Sequence, residues 1–296
     1  MRFETQPISF KPKSLKDDPY AMDLLLKKSI QLGRKRPSLE DFLDIYSKEE
    51  IEKDRQKLKI RQQQWDENND EYQKFMRDFS SIYEATITSI LNQNKFLGEG
   101  EVIQTSVYDD VFNGVDSIFI RENKEGNQYL GLNMDVTFSS DHDNLCRKIE
   151  SIKQTIRSGD LATLKYFQDL KTKEHKKLSL PKVIIGSQQS SADGLIRLWG
   201  ETSRNDEEKL KNHPIQSKII MEILAQLIYF CKFAKNLSEN TREYKMREKY
   251  QSIYIKYGEM YNHFYDIYIE KEDLIKSHYN EVIKDEVYKE IVRLTE

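Results

Sequence analysis

Residues 108–140 read YDDVFNGVDSIFIRENKEGNQYLGLNMDVTFSS, and the fold is decided there. The stretch divides into two β-type runs joined by a Gly/Asn-containing loop from Glu122 to Gln128. Each run carries a carboxylate inside otherwise apolar sequence, Asp116 in VDSIFI and Asp135 in NMDVTF. A strand interior disfavours aspartate, and burying a charge is costly unless a partner or a cation compensates it. Two such aspartates on strands that pair as a hairpin point to a divalent-cation site. The plainer alternative is that each caps a turn or accepts surface hydrogen bonds.

Side chains alternate between faces along a strand. In the second run Leu130, Leu132, Met134, Val136 and Phe138 share one face, leaving Asp135 and Thr137 together on the other, polar one. In the first run Asp116 shares its face with Ile118 and Ile120, a semi-buried setting. Asp109 and Asp110 add acid just upstream, in what reads as a loop.

Working outward, the 296-residue chain is 33% charged and 38% hydrophobic, polar for a globular protein but outside the disordered range. A net charge of −3 gives no global basic field to attract nucleic acid or an anionic membrane. Cys146 and Cys231 are far apart in predicted helices and read as reduced packing residues, neither a disulfide framework nor a zinc site. The first residues, MRFETQPISFKPK, lack the apolar core of a secretory signal, so a cytoplasmic protein is expected. The most apolar segment, Ile215 to Leu237, contains Gln216, Lys218, Glu222 and Gln226 and reads as an amphipathic buried helix, not a membrane span.

Helical patterning brackets the strands. Residues 1–20 look irregular, and a short helix follows near Met22 to Leu32. From Lys48 to Asn92 there is almost no Gly or Pro, so helix is expected with a break near Asn68-Asn69. Phe75, Phe79, Ile82, Tyr83, Thr86, Ile90 and Leu91 then form a core-facing stripe. Val102 to Val107, Val115 to Arg121 and Gln128 to Ser139 read as strands. A helix with Leu145, Ile149, Ile152 and Ile156 inward follows, then an ambiguous run from Leu161 to Phe167 and a buried strand in PKVIIG. Helices fill the remainder, crowded with tyrosines at interhelical spacing. Three stretches result: 1–74, extended with charged helices; 75–205, an α/β core; and 206–296, helical.

A glutamate on a helix (Glu84), a strand with Asp116, a strand with Asp135 in MDVT, then a helix and another strand resemble the PD-(D/E)XK nuclease superfamily over roughly residues 75–187. The resemblance implies a mixed, helix-rich α/β fold with an αβββαβ restriction-endonuclease-like core, flanked by long N- and C-terminal helices. It implies Mg²⁺ (or Mn²⁺) held by Glu84, Asp116 and Asp135, with Asp110 contributing, and hydrolysis of phosphodiester bonds in DNA or RNA. The superfamily's motif lysine is here Thr137, so the resemblance puts the ammonium on a neighbouring element, Lys148 or Lys153, with Lys165 a weaker third. The alternative is a scaffold that kept the fold and lost catalysis, binding a protein partner or a second copy of itself through its helical regions. A third reading is nucleic-acid binding without cleavage, through Arg34-Lys35-Arg36, Lys171 to Lys177 and Arg242 to Lys249. The loop GSQQSSADG has the composition of a phosphate contact but reads more simply as a helix cap.

Overall fold

Strand-forming sequence is concentrated in the middle of the chain, and among the described residues the computed structural model builds a four-stranded and a two-stranded sheet there, with helices on either side in sequence. It describes residues 14–33, 36–67, 70–93, 95–122, 129–138, 141–169, 172–201 and 204–296. Helices α1 (Pro19–Gly33), α2 (Lys48–Glu67) and α3 (Glu71–Gln93) come first. Then follow β1 (Glu101–Gln104), α4 (Val107–Asn113), β2 (Ser117–Glu122), β3 (Tyr129–Thr137) and α5 (His142–Arg157). A two-stranded pair, β4 (Ala162–Gln168) and β5 (His175–Leu180), precedes β6 (Lys182–Gly186). Helices α6 (Gln189–Gly200), α7 (Arg204–Lys211), α8 (Pro214–Asn240), α9 (Tyr244–Glu270), α10 (Glu272–Val282) and α11 (Glu286–Leu294) complete the chain.

The fold is therefore mixed α/β and rich in helix. Its main sheet has the order β1-β2-β3-β6, with the first three strands antiparallel and β6 parallel to β3. A parallel neighbour requires a long crossover, which α5 and the β4–β5 pair supply. One sheet face carries Phe119, Leu132, Met134 and Val136 into a core shared with Phe79, Ile82, Tyr83 and Ile87 of α3. The other places Val115 and Ile118 against Leu164, Phe167 and Leu180 of the small sheet. The main core reaches from Leu15 to Ile291, so all three stretches distinguished in the sequence contribute to one apolar interior.

β6 is an edge strand, and side chains complete it. The Tyr257 hydroxyl accepts from Lys182 N–H (3.2 Å), and Gln226 accepts from Ile184 N–H (2.8 Å) while donating to Ile184 C=O (2.6 Å). Glu222 accepts from Gly186 N–H (3.0 Å). Alternate residues 182, 184 and 186 are thus paired as a further strand would pair them, which closes an edge that would otherwise template association. Burial pushes the Glu222 carboxyl up to about 8, so at neutral pH it is protonated.

Several expectations need correction. The run 107–113, expected as the end of a strand at Val107 followed by a loop, is a helix. Ser106 caps it by accepting from Asp109 N–H (3.1 Å), and Gly114 at φ +58° ends it, a conformation glycine adopts without penalty. β1 accordingly stops at Gln104, and Asp110 sits on a helix rather than in a loop. The face holding Asn133, Asp135 and Thr137 is buried rather than polar and open; for example, Asn133 donates to Ala162 C=O at the start of β4. In α8, Gln216, Lys218, Glu222 and Gln226 are buried too, because they serve the sheet edge and its surroundings instead of solvent. The tyrosine-rich helix divides by heptad: Tyr250, Tyr257 and Phe264 point inward, whereas Tyr244, Tyr254 and Tyr265 are exposed. The expected break at Asn68-Asn69 and most of the β2–β3 loop lie outside the described residues, although α2 ends at Glu67 and α3 begins at Glu71.

Gln226→Leu removes the partners of two buried backbone groups, each worth about 1–3 kcal/mol when left unsatisfied. Urea unfolding should show a loss of about 2–4 kcal/mol, and a loss under about 0.5 kcal/mol refutes the edge-strand role. For Glu222 the folded value is raised from 4.5 to about 8, so its contribution is fully present below pH 4.5 and is lost as pH rises through 8. Glu222→Gln should flatten the fall of stability between those pH values, as read from melting temperatures.

Candidate metal centre

Three elements aim carboxylates at one point. Glu84 projects from α3, with Ser80 one turn earlier donating to its Oε1 (2.9 Å). Asp110 comes from α4, the short helix that Ser106 and Gly114 delimit. Asp116 stands just before β2, where its Oδ2 accepts from Val136 N–H (2.6 Å) across the sheet. One oxygen from each of the three carboxylates lies within 4.8 Å of the others. Two oxygens on opposite sides of a cation with bonds of 2.0–2.6 Å stand about 4–5 Å apart, so the spacing fits one shared hard cation.

Asp135 is also buried at this end of the sheet, but its charge is already matched. Lys148 from α5 donates to Oδ1, and Lys182 from the head of β6 lies 3.2 Å from Oδ2. Lys182 also donates to the Asn113 carbonyl (3.3 Å), tying the end of α4 to the same point. Gly114 permits this approach, because a Cβ there would lie 2.9 Å from Lys182 Nζ and 3.5 Å from Asp135 Oδ2. A third cation, Arg36, bridges Asp110 (2.9 Å) and Glu84 (3.5 Å).

Proton affinities follow from these placements. Burial raises the Glu84 carboxyl to about 7; the Asp110 charge adds to the rise, and Arg36 partly opposes it. Burial, with the charges of Glu84, Asp110 and Asp135, drives Asp116 well above the usual carboxylate range. Burial acts on Asp135 in the same sense, but Lys148 and Lys182 outweigh it and hold that carboxyl below its ordinary value. One end of the cluster is thus an ionised aspartate between two ammoniums. At the other end, Glu84 and Asp116 have a raised affinity for protons, which a cation bound there would replace.

Of the residues singled out in the sequence, Glu84, Asp110 and Asp116 converge, and Asp135 joins them through its effect on Asp116. Lys148 reaches the cluster, as anticipated, but Lys153 does not. Its amine pairs with Glu150 (3.2 Å) and lies over the Phe233 ring (5.6 Å), because its position on α5 turns it away from the sheet. Lys165 is likewise engaged elsewhere, with Asp54. Thr137 is buried one pleat repeat beyond Asp135, opposite Gly186 of β6. Arg34, Lys35 and Lys171 lie outside the described residues.

Arg36 and Lys182 were not anticipated. Lys182 carried a usable signal, since a lysine heading the apolar run KVIIG is as misplaced as an aspartate in a strand. Arg36 carried none beyond its place in a basic run.

Comparison with protein-family models, with curated proteins and with solved structures finds no match to the chain. What the cluster can do is therefore read from its own chemistry.

Because Asp135 has two ammonium partners, Lys148→Met alone leaves it paired. The Lys148→Met, Lys182→Met double variant strands a buried carboxylate, for which removal of all compensation costs about 3–5 kcal/mol. Urea unfolding should show the double change costing more than the two single changes together. Strict additivity contradicts shared compensation.

Proposed function

We propose that the chain is a Mg²⁺- or Mn²⁺-dependent nuclease that hydrolyses phosphodiester bonds of DNA or RNA. The observation carrying this reading is the convergence of the Glu84, Asp110 and Asp116 oxygens within 4.8 Å, beside an Asp135 flanked by two lysines. The order of elements supports it as well. α3, the antiparallel β1–β2–β3, α5 and the parallel β6 follow the αβββαβ succession of restriction-endonuclease-like cores, with α4 inserted between β1 and β2 and the β4–β5 pair between α5 and β6.

Glu84, Asp110 and Asp116 offer hard oxygen donors, the set that divalent cations of this class accept, and the raised proton affinities of Glu84 and Asp116 mark those two as carboxylates short of positive charge. When bound, the cation supplies Lewis-acid polarisation of the scissile phosphate and a lowered pKa for a bound water. The chain's own part is positioning. The Val136 N–H fixes the Asp116 carboxylate, and Ser80 fixes that of Glu84. Asp135 holds Lys148 and Lys182 at the edge of the cluster, where an ammonium can offset charge that develops on phosphate oxygens. Lys148 thereby takes the place of a lysine at position 137, and its amine stays protonated: burial lowers its proton affinity, but Asp135 and Asp116 raise it more.

One observation favours a second reading, a non-catalytic nuclease-like scaffold. Arg36 already neutralises Glu84 and Asp110 and could serve permanently in place of a metal. Melting temperature in Mg²⁺ separates the two. The raised Glu84 value means that its contribution to the metal-free fold is present below about pH 4.5 and lost as pH rises through about 7. A cation should restore it, so Mg²⁺ should raise the melting temperature more at pH 8 than at pH 5.5, by about 2–4 °C per kcal/mol of binding. No shift at either pH supports the scaffold.

In a single-turnover assay with Mg²⁺ or Mn²⁺, Asp116→Asn and Glu84→Gln should each slow cleavage by about 10²–10⁴-fold, the equivalent of several kcal/mol. Cleavage at the wild-type rate by both variants overturns the assignment.

A further inference from the structure

We infer that the cavity alongside Lys182 receives one nucleotide of an unpaired strand, which makes single-stranded nucleic acid the substrate; this rests on the nuclease reading above. The cavity encloses about 510 Å³, in the range of pockets that bury a single small ligand. A base-paired duplex, whose major groove alone is about 12 Å wide, does not enter such a space.

Two elements link the cavity to the carboxylate cluster. Lys182 lines it, and the same amine lies 3.2 Å from Asp135 Oδ2. Lys148, Ser151 and Thr155 follow one another at three- and four-residue spacing and so occupy one face of α5. Lys148 meets Asp135, and the next two turns present Ser151 and Thr155 to the cavity. A strand whose phosphate lies at the cluster therefore has a built path for its neighbouring residue.

The lining suits a nucleotide. Ser151 and Thr155 offer hydroxyls to phosphate or sugar oxygens, and Phe112 offers a ring against which a base can stack. Lys177 is exposed on β5 and, among the described residues, makes no ion pair, so its charge is available to a phosphate. One carboxylate, Asp160, also lines the cavity, beyond the C-terminal end of α5 and on the side away from Lys148. Lys182 thus places positive charge on the side of the cavity nearest the cluster.

The test is fluorescence anisotropy with a labelled 12-nucleotide DNA or RNA strand and with the same sequence closed into a hairpin duplex, with Ca²⁺ in place of Mg²⁺ to hold the complex. The single strand should bind at least about tenfold more tightly than the duplex, and Thr155→Trp, which fills the cavity, should remove about tenfold of that affinity, as loss of one stacked base does. Lys177→Glu should lower the salt dependence of single-strand binding by about 0.7 in log–log slope, the loss of one phosphate contact. Melting curves in Mg²⁺ at pH 8 accompany each variant. Equal affinity for duplex, or unchanged single-strand binding by a Thr155→Trp variant that keeps its Mg²⁺ shift, overturns the cavity assignment and leaves the metal reading standing. Absence of the Mg²⁺ shift in the wild-type chain overturns the metal reading, and this inference with it.

Discussion

Gathering carboxylates in a desolvated place is the constraint around which this molecule is arranged. Four of them, Glu84, Asp110, Asp116 and Asp135, come from separate elements to one end of the sheet, and like charges there disfavour one another's ionisation. The chain meets this with three cations from three further places: Arg36 after α1, Lys148 on α5 and Lys182 on β6. The distribution is unequal. Asp135 receives two ammoniums and stays ionised, while Glu84 and Asp110 share one guanidinium and Asp116 is driven toward its protonated form. A structure built only for stability gains nothing from this imbalance, since apolar residues of similar volume would pack there at no electrostatic cost. On the proposed reading the imbalance is the capacity to take up a cation.

Placing Lys182 beside Asp135 requires β6 to lie parallel to β3 at the sheet's edge, and that requirement extends into the C-terminal helices. A parallel edge strand exposes a row of backbone groups, which Tyr257, Gln226 and Glu222 satisfy from α9 and α8. The polar residues of α8 that look like a solvent face in the sequence are therefore part of the sheet's hydrogen bonding. The helices beyond residue 206 hold the strand that carries one of the site's lysines.

How much was legible in the sequence follows from what each signal depends on. Strand alternation in LGLNMDVTF is local, and it placed β3 and the residues that β3 turns into the main core. The helix α4, read as a strand end at Val107 and a loop, was missed because seven residues are too short to show a helical stripe, whereas its helical state is set by caps at Ser106 and Gly114. The orientation of α8 was missed because a polar face at four-residue spacing has the same pattern whether it meets water or an unpaired strand edge. Arg36 was invisible as a site residue, since its partners Glu84 and Asp110 are 48 and 74 positions away and only the tertiary fold joins them.

Position 137 shows why the ammonium arrives from elsewhere. Thr137 is 5% exposed and stands opposite Gly186 at the C-terminal ends of two parallel strands. The approach there is so close that a Cβ on Gly186 would fall 2.2 Å from the Thr137 carbonyl oxygen. A lysine at 137 would have to bury a four-carbon stem and a charge in this tight crossing, at the cost that accompanies any buried, poorly hydrated ion. Lys148 and Lys182 instead start from α5 and β6 and bring their ammoniums to Asp135 from outside this crossing. The relocated charge meets the carboxylate from two sides, which a single strand-borne lysine does not do. A threonine at 137 is thus compatible, on the proposed reading, with a charged site, because tight strand packing and ammonium placement fall to different residues.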